Sequence, residues 1–166
     1  NNSEDVLVER NVIVGCNAGI CLGNPSGSDL HMTRGVVRNN FVVRGAGKAI
    51  ELVRTKDCQV YNNTVWSKDL GFDRTFQLFQ GSAGAQVFNN LVRGALRADG
   101  DDPKKVEANL TGELDGFFAD PANGDLHLTA TGAEAGRGKG LAVPEGVKDF
   151  DGKPRPAKPA AGAVEP

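Results

Sequence analysis

The chain has 166 residues, 22 of them glycine, with few aromatics and a formal net charge of −2. That length suits one domain, and a near-neutral charge without a basic stripe argues against a nucleic-acid surface. No apolar run reaches the roughly 18 residues of a membrane-spanning helix, and three cysteines cannot form a complete disulfide framework.

The first element is VERNVIV, Val8 to Val14, a short strand broken at Asn11 and then resumed. The same pattern returns as VRNNFVV from Val37, VYNNTVW from Val60 and VFNNLVR from Val87. The aligned asparagines, Asn11, Asn40, Asn63 and Asn90, are separated by 29, 23 and 27 positions. A unit of that length cannot bury its own apolar face and must stack on its neighbours. Asparagine is a poor strand residue and a good corner residue. The first of each pair suits the left-handed conformation of a sharp corner. The second is predicted to point inward and bond the asparagines above and below, as in Asn ladders. Val8, Val37, Val60 and Val87 predict one inner apolar column, and Ile13, Val42, Val65 and Val92 a second.

Each later copy is preceded by an alternating strand: GICLG from Gly19, AIELV from Ala49 and TFQLF from Thr75. Alternation predicts Ile20, Leu22, Ile50, Leu52, Phe76 and Leu78 inward, with Cys21, Glu51 and Gln77 outward in a column. Cys58 is expected inside as a small apolar residue. Tyr61 and Phe88 should stack on the outside. Between the coils lie two insertions, Gly23 to Gly35 and Ser67 to Arg74. Long insertions on one side of a solenoid tend to mark its binding face.

No stretch between the asparagines offers a helix, so the coils of residues 1–100 form an all-β solenoid of three to four turns. Because Val6 to Val14 is already a full unit without a cap, the first coil is expected to be covered by another chain or by earlier coils. From Asp99 the sequence turns polar. Residues 101–166 read as a capping segment with a hairpin around Asp125 to Thr129, then an irregular tail rich in Pro, Gly and Ala.

The run AIELVRTKDCQVYNNTVW and the tail motifs FADPANGDLHL, DFDGKPRP and AGAVEP resemble the secreted bacterial right-handed parallel β-helix proteins of the pectate-lyase-like superfamily. The resemblance covers nearly the whole chain, although TGAEAGRGKG departs from the usual tail. It implies a right-handed parallel β-helix, a secreted, cell-surface or periplasmic place, and a polysaccharide or oligosaccharide partner along the sheet of the alternating strands.

An acidic-glycan lyase there needs a base and groups that neutralise the uronate. Lys48, Arg54, Arg74 and His31 could fill the basic roles, and Lys48, Arg74 and Glu51 are the expected catalytic groups. Arg54, Gln77, Asp73, His31 and Arg34 are the expected substrate-binding residues. No metal cluster is expected, but Glu51 with Asp73 could hold Ca²⁺. A glycoside hydrolase would need a carboxylate pair, for which Glu51 with Asp73 or Asp69 is the obvious choice. The competing reading is a noncatalytic glycan-binding or structural module, whose exposed charges are solvated surface.

Overall fold

The computed structural model describes residues 2–98 and 105–166. It is a parallel β-solenoid of about four turns. Three sheets run along it. Sheet 1 contains Ile20–Gly23, Ile50–Val53, Phe76–Leu78 and Leu96–Ala98, in that order. Sheet 2 contains Leu7–Glu9, Val36–Arg38, Gln59–Tyr61, Gln86–Phe88 and Lys105–Glu107. Sheet 3 contains Val12–Val14, Phe41–Val43, Thr64–Trp66, Leu91–Arg93 and Leu110–Gly112. A minor sheet joins Ser3–Glu4, Met32–Thr33 and Thr55–Lys56.

Register follows the repeat. Val8, Val37, Val60, Val87 and Val106 are paired rung by rung, as are Ile13, Val42, Val65, Val92 and Thr111. Valines 37, 60 and 87 are 0% exposed in a core that also holds Ile50, Leu52, Phe76, Leu78 and Cys58. The sheets run on past residue 100. Lys105–Glu107 and Leu110–Gly112 form a fifth rung with its corner at Ala108 and Asn109, inside the segment expected to be polar turn and cap.

The corner carries two columns with different work. In the inner column, Asn11, Asn40, Asn63, Asn90 and Asn109 form a continuous ladder. Each Nδ2 donates to the next Oδ1 at 2.9, 2.9, 3.0 and 2.9 Å. Each backbone N–H donates to the same oxygen. The ladder satisfies groups that the turn takes away from the sheets. In the outer column, Arg10, Asn39, Asn62, Asn89 and Ala108 all lie in the left-handed region, with φ between 53° and 57°.

Only three of those five are asparagine, and those three hold the C-terminal tail. Asn39 Nδ2 donates to the Lys148 carbonyl (2.7 Å). Asn62 donates to the carbonyls of Ala160 and Gly162 (both 3.1 Å). Asn89 donates to the Leu141 carbonyl and accepts from the Leu141 N–H. The buried Arg155 adds bonds to Asn39 Oδ1 and to the carbonyls of Gly162 and Ala163, and pairs with Glu165. The paired Asn therefore marks the coils that the tail covers.

The hairpin expected near Asp125 is present. Phe118–Asp120 pairs antiparallel with Asp125–Leu128, joined by the 3₁₀ turn Pro121–Asn123. A helix of about two turns, Ala130–Gly136, follows it, capped by the Thr129 hydroxyl. The tail is irregular but buries Ala160, Ala161, Ala163 and Val164 at 3% exposure or less. Hairpin and tail lie on sheet 3, where Phe118, Leu126 and Val164 pack with Phe41, Val43 and Leu91. Leu141, Val143 and Val147 cover sheet 2 over Tyr61 and Phe88, whose rings stack at 4.8 Å. Among the described residues no helix is long and apolar enough to cross a membrane.

Candidate functional site

The apolar clusters joined by residues 114–166 contain outward residues of sheets 2 and 3 and none of sheet 1. Sheet 1 keeps a polar outer column. Cys21 is in register with Glu51, Glu51 with Gln77, and Gln77 with Arg97. The alternation of AIELV and TFQLF places these side chains outward because Ile50, Leu52, Phe76 and Leu78 fill the core.

Outward does not mean solvated here. Glu51 is 7% exposed and Gln77 2%, so both form the floor of the face. Lys48, three residues before Glu51, donates from Nζ to Glu51 Oε1 and keeps its own side chain partly exposed. Gln77 Oε1 is buried and has no hydrogen-bond partner. Desolvation, then the Glu51 carboxylate, pushes the Cys21 thiol up, so the sulfur is a neutral thiol rather than a nucleophile.

Two insertions flank this floor. Beside the starts of its strands lies the turn of residues 67–75. Asp73 Oδ2 accepts from Arg97 Nη1 at 2.8 Å, and Asp73 Oδ1 lies 3.3 Å from Arg74 Nε. Arg44 and Arg74 both approach the Phe72 ring, at 4.2 and 5.7 Å from its centroid. At the other end of the strands the insertion leaves the sheet at Gly23. There φ is 84°, and a Cβ would lie 1.8 Å from the Val53 carbonyl oxygen, so only glycine fits. Arg54 donates to the carbonyls of Pro25 (2.6 Å) and Asn24 (3.3 Å), fastening the insertion. A groove of about 280 Å³ runs between it and the next turn, lined by Ser28, Asp29, Leu30, Arg54, Gln80 and Gly81.

Lys48, Glu51 and Gln77 thus come together on one floor, with Asp73 and Arg74 at one margin and Arg54 at the other. Arg34 does not join them. It pairs with Asp5 and Glu4 at the corner of the minor sheet. His31 adjoins the groove through its backbone, its N–H donating to the Arg54 carbonyl at 2.9 Å, and its side-chain Nε2 is buried without a partner. Glu51 and Asp73 face different cations of the chain, Glu51 the Lys48 ammonium and Asp73 the Arg97 and Arg74 guanidiniums. Among the described residues no three His, Cys, Asp or Glu side chains form a group suited to a metal ion. Arg97 escaped the sequence reading, although Leu96-Arg97-Ala98 repeats the in–out–in alternation of the earlier strands.

Comparison with protein-family models, with curated proteins and with solved structures finds no match.

Proposed function

We propose that the outer face of sheet 1 binds a glycan without turning it over, on a right-handed β-helix of the pectate-lyase-like type. The observation that supports this reading is the division of outer faces. The C-terminal segment packs its apolar side chains on sheets 2 and 3. Sheet 1 keeps a polar residue on successive rungs, Cys21, Glu51, Gln77 and Arg97, about 4.8 Å apart. An oligosaccharide laid across the rungs would meet Lys48, the Gln77 and Glu51 floor, and the Arg54–Asp29–Gln80 groove. Those groups offer donors and acceptors to hydroxyls.

Binding is favoured over turnover by the pairing of charges. Proton abstraction needs a base with a free lone pair, whereas Lys48 is committed to Glu51. Inverting or retaining hydrolysis needs two facing carboxyl groups, and the floor has one. A polymeric glycan partner would place the protein outside the cytoplasm, secreted or at the cell surface. Ca²⁺ would enter as a bridge to uronate groups of an acidic glycan.

The test is affinity electrophoresis against neutral and uronate polysaccharides, with and without chelator, alongside the absorbance of unsaturated sugar products. Retardation by a glycan should fall at least about tenfold in the Glu51→Gln, Arg54→Ala double variant. Retardation by none of the glycans would end the proposal. A rise in absorbance that Lys48→Ala abolishes would replace it with the lyase.

A further inference from the structure

The floor of sheet 1 has more acceptors than donors. Glu51 and Gln77 stand on successive rungs in direct register, 7% and 2% exposed. Lys48 Nζ donates to Glu51 Oε1, and among the described residues no donor reaches Glu51 Oε2. Gln77 Oε1 is buried and receives nothing either. Two acceptors are thus left unmet side by side, on strands about 4.8 Å apart. A buried acceptor without a partner is costly, and the floor itself holds no group that relieves it.

The cations of the floor and its margins are already engaged. Lys48 is held by Glu51. Arg97 and Arg74 both turn to Asp73. Arg54 gives Nη1 to the carbonyls of Asn24 and Pro25, and lines its groove together with the Asp29 carboxylate. The exposed Lys68 lies on the turn of residues 67–75 and not on a sheet 1 strand.

A carboxylate arriving at this floor would bring acceptors to acceptors. It would face the Glu51 charge and the Gln77 oxygen with the nearby ammonium already taken. A hydroxyl instead brings a donor, and its own oxygen can still accept. The last torsion of a glutamine is broad, so the Gln77 amide turns toward an arriving hydroxyl at little cost.

Given the glycan-binding reading above, on which this rests, we propose that the glycan taken by this face is neutral. Its hydroxyls donate to Glu51 Oε2 and Gln77 Oε1, and uronate polymers are excluded. Glu51 sets the exclusion by its charge, and Gln77 sets the fit by its unmet oxygen. A site built to accept from a hydroxyl rejects an analogue without the donor, because its own group is then left unpaired.

The test is affinity electrophoresis of the full chain against polygalacturonate and alginate, their carboxyl-reduced forms, and the neutral polymers hydroxyethyl cellulose, galactomannan and arabinoxylan. Each is run at about 50 mM and about 500 mM NaCl, which separates charge pairing from hydroxyl bonding. At least one neutral or carboxyl-reduced polymer should retard the wild type equally at both salt levels, and neither uronate polymer should. Gln77→Met should weaken that retardation at least about tenfold. Glu51→Gln should weaken it too. By releasing Lys48, it should also admit a uronate polymer at low salt, a gain that misfolding cannot produce. Retardation of the wild type by a uronate polymer, lost at high salt, would overturn the neutral class and leave the glycan-binding face standing. A Glu51→Gln variant that still excludes both uronates would overturn it as well. Retardation by no polymer would end the glycan reading itself, and the neutral class with it.

Discussion

The inner and outer asparagine columns sit one residue apart at the same corner and obey different rules. The inner one is asparagine in all five rungs because it must be. Its amide spans the gap between rungs where strand hydrogen bonds are missing, and no other side chain has one acceptor and two donors at that reach. The outer one needs only a residue that tolerates a positive φ, and Arg10 and Ala108 accept that cost. It is asparagine where a second demand is added, the carbonyls of the tail. One column is about the solenoid, the other about what covers it.

The largest effect should come from the inner column. Asn63→Ala removes a fully buried side chain that bonds Val37, Tyr61 and Asn90 and accepts from Asn40 twice. Several buried groups lose their partners at about 1–3 kcal/mol each, so a loss of roughly 4 kcal/mol is expected in urea unfolding. A loss under about 1 kcal/mol would mean that the ladder is ornamental to stability.

A middle-sized effect separates the two jobs of the outer column. Asn62→Ala loses both the tail bonds and an easy left-handed corner, for about 2 kcal/mol. Asn62→Gly keeps the corner and loses only the side-chain bonds, those to Ala160 and Gly162 and the one accepted from Asn89, for about 1 kcal/mol. Hydrogen exchange should quicken at residues 160–164 in both variants, and equally. Ala108→Gly, on a rung that the tail does not hold, should instead stabilise by roughly 0.5–1 kcal/mol. If Asn62→Gly matched Asn62→Ala in stability, the corner conformation would not be a separate demand.

The smallest effect is a pH dependence where the covering segment holds itself down. His127 stands between Asp125 (Nδ1 to Oδ1, 2.5 Å) and Asp151 (Nε2 to Oδ1, 3.0 Å), with the Phe41 ring edge-on and Lys153 beside Asp151. Burial opposes its charge, but the two carboxylates outweigh burial and push its pKa above the ordinary imidazole value. Asp125 is pushed down, chiefly by the His127 backbone N–H and then by the ring. A raised imidazole stabilises fully below its unfolded value of about 6.5, and that contribution fades as pH rises through the folded value. A lowered carboxyl stabilises above about 3.9 and fades as pH falls. The clasp should therefore be strongest between about pH 4 and 6.5, by no more than about 0.5 kcal/mol because the ring is partly exposed. His127→Gln should flatten the difference in melting temperature between pH 6 and pH 8. An unchanged difference would show that other groups carry it.

Much of this was legible in the sequence because a stacked coil repeats its geometry at every rung. The period in NN corners, the two apolar columns and the in–out alternation of AIELV and TFQLF were enough to place Glu51 beside Gln77 before any coordinates. The reading stopped one rung early because Ala108-Asn109 lacks the doubled asparagine, which belongs to tail docking and not to the coil. It placed Arg34 near the face, whereas Arg34 pairs with Glu4 and Asp5, because an insertion's direction is not periodic.

What the sequence determined by itself is the solenoid, since local propensity, period and the ladder all act between residues in fixed register. What only the tertiary structure decided is which faces remain available. That depends on where a nonrepeating segment of Pro, Gly and Ala comes to rest, held by side-chain-to-carbonyl bonds about a hundred residues apart, as between Asn62 and Gly162. It also decided the state of each charge on sheet 1. Lys48 turns to Glu51 three residues on, while Asp73 finds Arg97 across a rung and a turn, a reach that no pattern along the chain encodes.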